Sequence, residues 1–322
     1  MLSKEMLPMI REAATRIYTV VRETPLVPMP PEGGKAREKA RVKLEHLQNT
    51  GSFKLRGAAN KLMSLTKAQA AAGVITSSTG NHGLGVAAAA KALGIDAEVF
   101  LSAQVSEAKR DKIRKQGARV RIVGDDPLAA EIAARQSAAE SGRTYVSPYN
   151  DPYVVAGQGT VAVEVLRQLP ELDAIFVATG GGGLISGIGS YLHEVAPGAH
   201  VIGCWPENSA VLYQSIRAGR IIEAPEQPTL SESTAGGVEE GSITFELCRE
   251  VMHHPVLVSE SEILRAMRWG HAQGWAMEGA GGVALAAYFK EAARYADANV
   301  VVLNCGGNPS PAVRALIEEQ AA

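Results

Sequence analysis

Short apolar runs alternate with amphipathic segments along most of this chain. Runs typical of buried strands lie at residues 74–76, 96–101, 119–123, 144–146, 174–178 and 200–204. Helical spacing of apolar residues lies between or after them, at 84–93, 106–116, 127–140, 159–169, 184–194 and 209–218. This rhythm predicts an α/β fold, with two open, mostly parallel, twisted sheets and helices on both faces.

Both ends of the chain extend the pattern. We expect a helix over residues 5–21, an exposed loop over 28–39, a strand over 41–45, helices over 260–273, 281–295 and 311–320, and a strand over 300–303. The turn-rich stretch 147–153 is the candidate boundary between a large domain, 1–51 plus 148–322, and a small domain, 52–147. Ligands of such sheets bind outside the carboxyl ends of the strands, so a cleft between the domains is the expected site.

Composition narrows the class of protein. The 322 residues are 46% hydrophobic and 20% charged, as in ordinary globular proteins, and no apolar run is long enough to span a membrane. A net charge of −2 provides no field for nucleic acid or an anionic membrane. The three cysteines are widely spaced and odd in number, which argues against a disulfide framework or a zinc knuckle. We therefore expect a cytoplasmic protein.

Four consecutive glycines follow the apolar run 174–178: Gly180, Gly181, Gly182 and Gly183. Without Cβ atoms, their backbone N–H groups can converge on a ligand, and the next helix adds its positive end. An anion cup sized for a phosphate is one interpretation. A tight turn between strand and helix is the other.

Lys54 lies in Ser-Phe-Lys-Leu-Arg-Gly, at the start of a predicted helix. If its side chain points into the cleft, burial and the helix N-terminus lower its pKa, and such an amine forms Schiff bases. A solvated helix lysine is the ordinary alternative.

Three further glycine-rich turns follow predicted strands or open predicted helices. Residues 77–83, Ser-Ser-Thr-Gly-Asn-His-Gly, offer N–H donors suited to a carboxylate, or an ordinary turn capped by Thr79 or Asn81. Cys305 precedes Gly306 and Gly307. It is interpreted either as a buried small residue or as an uncharged hydrogen-bond partner of a bound ring. A weaker cluster places Glu278 before a glycine-rich helix start.

Together, in order and spacing, these motifs resemble the serine/threonine dehydratases, pyridoxal-phosphate (PLP) enzymes of the tryptophan-synthase-β-like fold, known as fold type II. The resemblance covers nearly the whole chain and includes Pro148-Tyr-Asn-Asp-Pro and Ala156-Gly-Gln-Gly-Thr. It implies PLP bound in the cleft between the two domains, an amino-acid substrate, and a homo-oligomer, either a dimer or a tetramer.

The resemblance also implies a role for each matching residue. Lys54 forms the Schiff base, Phe53 packs by the ring, Asn81 binds the 3-hydroxyl group and Cys305 faces the ring nitrogen. The phosphate is held by Gly180, Gly181, Gly182, Gly183 and Leu184. The substrate carboxylate is bound by the turn made of Ser78, Thr79, Gly80, Asn81 and His82, and the side-chain pocket draws on Thr79, Tyr149 and residues 234–241.

A thiol at the ring nitrogen keeps it protonated less well than a carboxylate does, which favours loss of a β leaving group over transamination. With Lys54 as the base, this predicts a dehydratase that converts L-threonine or L-serine to a 2-oxo acid and ammonia. Phenylserine or hydroxyaspartate dehydratases are alternatives, as are two enzymes of the same fold: a β-replacement synthase using cysteine chemistry, and a racemase with the Thr79 hydroxyl as a second base.

A non-catalytic nucleotide-binding or sensor protein is an alternative of another class, but the glycines lack the Gly-x-Gly-x-x-Gly spacing. In the racemase branch a divalent cation is held by acidic residues. The matching positions here are Trp205 and Val211. The nearby Glu207 is interpreted as a surface residue, so we predict no metal site.

Overall fold

The computed structural model describes residues 1–32 and 39–319. Its elements, in chain order, are α1 (Ser3–Arg16), β1 (Leu26–Pro28), β2 (Ala40–Leu44), α2 (Lys54–Met63), α3 (Lys67–Ala72), β3 (Val74–Ser77), α4 (Asn81–Leu93), β4 (Ala97–Leu101), α5 (Glu107–Lys115), β5 (Arg119–Ile122), α6 (Pro127–Ser141), β6 (Thr144–Tyr145), α7 (Pro152–Gln168), β7 (Ala174–Ala178), α8 (Gly183–Val195), β8 (His200–Pro206), α9 (Val211–Ala218), α10 (Ile243–Val251), β9 (His254–Val258), α11 (Glu260–Ala272), α12 (Gly279–Glu291), β10 (Val300–Asn304) and α13 (Pro311–Glu318). No helix in the described part of the chain is long and apolar enough to cross a membrane.

The larger sheet has the strand order β1-β2-β10-β7-β8-β9. Strand β1 is antiparallel to β2, and all other neighbours are parallel. The central strands β7 and β10 are buried along their whole length, as expected where helices cover both faces of a parallel sheet. Their apolar side chains join those of α8 and α12 in the main core.

The smaller sheet, β5-β4-β3-β6, is parallel throughout. Successive side chains of a strand point to opposite faces. Val99 and Leu101 of β4 accordingly join the core beneath α4, whereas Phe100 between them packs with α6. The predicted fold class, two mostly parallel sheets covered by helices, is confirmed. The domain boundaries placed at 51/52 and 147/148 stay a prediction.

Several predicted elements differ in detail. The helix expected over residues 5–21 ends at Arg16, followed by one 3-10 turn. Helix α7 begins at Pro152 rather than at 159, because Asp151 accepts hydrogen bonds from the first free N–H groups and proline suits the first helical position. Elements α3, α10 and β1 are not predicted at all. Of the predicted loop 28–39, residues 33–38 lie outside the described part, as does Gln320 of the last predicted helix.

A buried ion network holds helix α2, whose first residue is Lys54. The guanidinium of Arg56 donates to both carboxylate oxygens of Glu45, at 2.7 Å each, and to both of Glu164, at 2.6 and 2.9 Å. The Lys43 amine lies 2.6 Å from Glu164 Oε2. Two cations thus balance two carboxylates, with the hydrogen bonds that a buried pair requires. The network ties α2 to β2 and α7, so the position of Lys54 is fixed by both.

Candidate active site

A cavity of about 180 Å³ lies where the residues that follow β3, β7 and β10 meet. Ten of the predicted site residues line it: Phe53, Lys54, Asn81, Tyr149, Gly180, Gly181, Gly182, Gly183, Leu184 and Cys305. Of the remaining predicted residues, Thr79 and Gly80 line a neighbouring cleft. Ser78 and His82 line neither space.

Lys54 points into this cavity. Its Nζ donates a hydrogen bond to the carbonyl oxygen of Pro148 at 2.9 Å and lies 5.4 Å from the centroid of the Phe53 ring. Burial lowers the pKa of Lys54 to about 8, although the negative charge of Glu278 opposes the shift. A substantial fraction of the amine is therefore unprotonated near neutral pH, as a nucleophile or base requires.

Residues 180–184, which we call the glycine cup, join β7 to α8. None of their five backbone N–H groups donates a hydrogen bond to another described residue. Gly182 has a φ of +86°, in the left-handed region that glycine adopts without strain. Because α8 begins at Gly183, these free donors also lie at the positive end of a helix.

The glycines of the cup pack closely against other residues, which leaves no room for side chains at these positions. A Cβ atom added to Gly181 would lie 2.6 Å from the Tyr149 ring, and one added to Gly182 would lie 2.9 Å from Cys248 Sγ. One added to Gly180 would lie 2.8 Å from the Thr234 carbonyl oxygen. A cradle of backbone donors with no side chains fits a phosphate group, and a tight turn alone would not need the donors to stay free.

Residues 78–82, which we call the asparagine loop, join β3 to α4. The N–H groups of Thr79, Asn81 and His82 donate to no other residue that the structure describes, and that of Gly80 donates to Ser78 Oγ at 3.3 Å. Free donors at the start of a helix fit a carboxylate. The loop is half-exposed, so a ligand can reach it from solvent.

The side chain of Asn81 is anchored by two residues of the larger sheet's half of the molecule. Its Nδ2 donates to both oxygens of Glu278, at 2.9 and 2.8 Å. Its Oδ1 accepts from Asn308 Nδ2 at 2.8 Å. These bonds hold the asparagine loop across the cavity.

His82 supports the asparagine loop from behind. Its ring is buried, and Nε2 lies 3.0 Å from the carbonyl oxygen of Val146. Burial, with the positive charge of Lys54, lowers the pKa of His82 to about 3. The ring is therefore neutral, and only the backbone of His82 faces a ligand of the loop.

Cys305 follows β10 and is buried. Burial raises the pKa of its thiol well above the ordinary value, and the nearby charge of Glu278 adds to the effect. Its carbonyl oxygen accepts the N–H of Phe53 at 3.0 Å, which joins the end of β10 to the start of α2. The side of the cavity that Cys305 forms is thus uncharged.

Glu278 is a site residue that the sequence analysis left out of its predicted set. Its carboxylate is buried and accepts hydrogen bonds from Ser233 Oγ at 2.8 Å and the Asn308 N–H at 3.1 Å, besides those from Asn81. The only sequence signal is an acidic residue before a glycine-rich helix start, which is equally typical of a helix cap. Spatial contact with Asn81, 197 positions away, reveals its place in the site.

Tyr149 packs beneath the glycine cup. Its ring lies against Gly181, its Cβ and backbone lie against Gly183, and its hydroxyl oxygen accepts the N–H of Glu239 at 3.0 Å. Burial raises the pKa of the phenol. Its predicted part in a substrate pocket stays a prediction, whereas its contact with the cup is a property of the structure.

A second space of about 210 Å³, which we call the outer cleft, adjoins the cavity at Asn81 and Glu278. It is lined by Thr79 and, from α5, by Lys109 and Lys112. Neither lysine forms an ion pair with the described residues. The sequence does not predict these two lysines as site residues. They follow β4, whereas the predicted turns follow β3, β7 and β10.

The predicted absence of a metal site stays a prediction. Within residues 1–32 and 39–319, no three His, Cys, Asp or Glu side chains are placed to hold a metal ion. Trp205 is buried, with its ring 5.8 Å from that of Tyr213. Val211 is also buried and is the first residue of α9. Neither side chain offers a metal ligand.

The chain is similar to known proteins over most of its length. A family model described as pyridoxal-phosphate dependent enzyme matches residues 17–306. An L-threonine ammonia-lyase of Thermotoga maritima is 37% identical over 279 residues, which are 86% of this chain and 69% of that protein.

Two solved structures are similar over nearly their whole length. The processed form of threonine deaminase isoform 2 from Solanum lycopersicum has a TM-score of 0.90 at 30% identity, covering 99% of this chain and 94% of that one. Maize serine racemase has a TM-score of 0.88 at 29% identity, covering 98% and 97%. The range of the family model, residues 17–306, spans the predicted site residues that line the cavity. The chain therefore belongs to the pyridoxal-phosphate-dependent enzymes, and among them to the serine/threonine dehydratase family.

Proposed function

We propose that this PLP-dependent enzyme removes the β-hydroxyl group of L-threonine or L-serine and releases a 2-oxo acid and ammonia. The observation that carries the proposal is Lys54, an amine with a pKa of about 8 in one cavity with the glycine cup and Asn81. The threonine ammonia-lyase and threonine deaminase among the similar proteins support the substrate.

Residues on three sides of the cavity would hold the cofactor. The free N–H groups of the glycine cup suit its phosphate, and Phe53, Asn81 and Cys305 suit its ring. Bound PLP supplies an electron-withdrawing ring that stabilises negative charge at the substrate Cα. Because the Cys305 thiol is neutral, it does not hold a proton on a ring nitrogen as a carboxylate would, which favours elimination over transamination.

The asparagine loop would bind the substrate carboxylate. Its free N–H groups and the N-terminus of α4 together attract an anion. Hydrogen bonds from these N–H groups to the carboxylate would fix the amino acid relative to Lys54. The loop would thus orient the Cα–H bond as well as add affinity.

Lys54 would then act twice. Its neutral amine accepts the proton from Cα, and the resulting ammonium donates a proton to the departing β-hydroxyl, which leaves as water. A pKa of about 8 lets one group perform both transfers near neutral pH. The released enamine hydrolyses in water to the 2-oxo acid and ammonia, so the atoms balance without a further reactant.

The positions of Thr79 and of the cationic side chains bear on the alternatives. Racemisation needs a second base on the face opposite Lys54, but Thr79 lines the outer cleft rather than the cavity around Lys54. Among the described residues, no arginine lines either space to pair with the second carboxylate of hydroxyaspartate, and Lys109 and Lys112 lie in the outer cleft. Elimination from threonine or serine therefore fits this arrangement best.

We further propose a cytoplasmic homo-oligomer, a dimer or a tetramer. The family resemblance supports the assembly, and three free, buried cysteines fit a reducing compartment. Sedimentation of the purified protein at several concentrations tests the assembly, and a monomer throughout would contradict it.

The decisive experiment measures 2-oxo acid release from both stereoisomers of serine, threonine, hydroxyaspartate and phenylserine. L-Threonine or L-serine is expected to give the highest kcat/KM. The Lys54→Ala variant is the control, and we expect it to lose activity and to bind no cofactor that borohydride can fix. Wild-type protein that turns over none of these amino acids, or that only interconverts their stereoisomers, would overturn the proposal.

A further inference from the structure

Helix α10 lies directly behind the glycine cup. Thr244 Oγ1 donates a hydrogen bond to the carbonyl oxygen of Gly181 at 2.6 Å. One turn further along, Cys248 Sγ lies 3.8 Å from the carbonyl oxygen of Gly182. Both side chains are buried and, four residues apart, they project from the same face of the helix. Two successive carbonyl groups of the cup therefore point at α10.

The direction of a carbonyl group determines the direction of the next N–H group. A trans peptide is planar, so the N–H of one residue points opposite to the C=O of the residue before it. The described residues contain no cis peptide bond. With the Gly181 oxygen held on α10, the Gly182 N–H points away from α10. The Gly182 oxygen, which also accepts the Ser186 N–H at 2.9 Å, turns the Gly183 N–H the same way.

The four glycines line the cavity, whereas no residue of α10 does. The N–H groups that point away from α10 are therefore the ones available to a ligand in the cavity. Neither Thr244 nor Cys248 lines the cavity, so neither touches the cofactor. Four consecutive glycines have little conformational preference of their own, and their peptide groups can rotate at small cost. A bond from outside the segment is thus needed to keep the donors aligned before a ligand arrives.

We infer that Thr244 is a positioning residue for the cofactor phosphate, acting through the Gly181 carbonyl group. Its hydroxyl has one proton, which is given to Gly181, while Ser242 Oγ lies 2.7 Å away as the donor to Thr244. The inference rests on the proposed placement of the phosphate in the glycine cup. It does not depend on which amino acid is the substrate.

The test compares PLP with pyridoxal, which lacks the phosphate, in titrations of the apoprotein. Thr244→Val keeps the shape of the side chain and removes the donor. We expect it to raise the Kd for PLP roughly 5- to 30-fold, as the loss of one buried hydrogen bond would, and to leave the Kd for pyridoxal within about twofold. Thr244→Ser keeps the hydroxyl and should restore PLP binding to within about threefold of wild type.

Other results of these titrations would contradict either the role of Thr244 or the placement of the phosphate. Equal losses for PLP and pyridoxal in Thr244→Val mean that Thr244 supports the fold rather than the phosphate site. If neither Kd changes in Thr244→Val, the inference is also overturned, while the phosphate placement stands. If wild-type protein binds the two ligands equally well, the phosphate placement itself is wrong. Thermal unfolding of the apoprotein variants checks that each is folded.

Discussion

The glycine cup and the asparagine loop solve a similar problem in different ways. Both are turns from a parallel strand into a helix, and both leave backbone N–H groups free at the helix N-terminus. The cup is nearly buried and is enclosed by Tyr149, Thr234 and Cys248. The loop is half-exposed, and a Cβ atom added at its Gly80 would meet no atom within 4 Å.

The difference in exposure matches how long each proposed ligand stays bound. A cofactor stays in place, so its phosphate site can be rigid, enclosed and free of functional side chains. A substrate must enter and leave, so its carboxylate site borders the outer cleft and is held by side-chain hydrogen bonds of Asn81 that can rearrange. The following experiments test whether the two sites are in fact independent.

The largest effect is expected for Gly182→Ala in the glycine cup. Alanine at a φ of +86° costs about 1–2 kcal/mol, and its Cβ would crowd Cys248 Sγ and Leu212 Cδ2, both at 2.9 Å, for roughly 1–3 kcal/mol more. We expect PLP affinity to fall at least tenfold and the melting temperature to fall as well, measured by cofactor titration and calorimetry.

The matched control is Gly80→Ala in the asparagine loop. Gly80 has a negative φ, −111°, and open space around it. PLP affinity should stay within about twofold, and the KM for the amino acid should change by a few-fold at most. A similar loss of PLP affinity in both variants would show that the two turns are not separate sites.

The next largest effect is expected for Glu278→Gln. An amide at this position would place an NH2 group among three donors, those of Asn81, Ser233 and Asn308. A buried donor left without an acceptor costs about 1–3 kcal/mol, so kcat/KM should fall roughly 5- to 150-fold. PLP affinity should fall by less, because Asn81 is one of several residues proposed to hold the cofactor ring and the glycine cup is not altered. Steady-state kinetics at saturating PLP measure the first and cofactor titration the second.

Glu232→Gln is the control for that variant. Glu232 also lines the outer cleft, but it is exposed and accepts only from Ser310 Oγ, at 2.8 Å, among the described residues. We expect its kinetics to stay near those of wild type. If Glu278→Gln instead weakens PLP binding as strongly as it lowers kcat/KM, Asn81 serves mainly to hold the cofactor ring, and the two turns are not independent sites.

The sequence predicts the residues that would contact a ligand better than the residues that hold them in place. Glycines and lysine are visible in the chain because their chemistry is local: a turn without Cβ atoms, or an amine at a helix start. The fold class was also predictable, since strand and helix periodicities alternate so regularly. Residues that act through another residue leave no such signal: Glu278 acts through the Asn81 side chain, and Thr244 through the Gly181 carbonyl group.

Helix α10 illustrates the limit most clearly. It was not predicted, although Ser242 caps it and Phe245, Cys248 and Val251 follow at helical spacing. Its function in supporting the glycine cup is a tertiary contact over 63 positions, which only the folded chain displays.

A smaller effect is expected from pH. The amine of Lys54 must be unprotonated to accept the Cα proton, so kcat should rise with pH and pass its midpoint near 8, rather than near the ordinary lysine value of about 10.4. The Glu278 carboxylate holds this pKa up, so Glu278→Gln should shift the midpoint to lower pH. A rate profile from pH 6.5 to 9.5 measures both, and a shift to higher pH would contradict the assignment.

The smallest effect is expected for removal of divalent cations. Both turns offer backbone N–H groups, which bind anions without a metal, and Trp205 and Val211 occupy the positions where cation ligands are expected in the racemase branch. Dialysis against EDTA should therefore leave kcat/KM unchanged. Loss of activity that Mg²⁺ restores would show that a cation supports one of the two sites. Repeating the PLP titration after EDTA would then identify which, because loss of cofactor affinity points to the glycine cup and a raised KM alone to the asparagine loop.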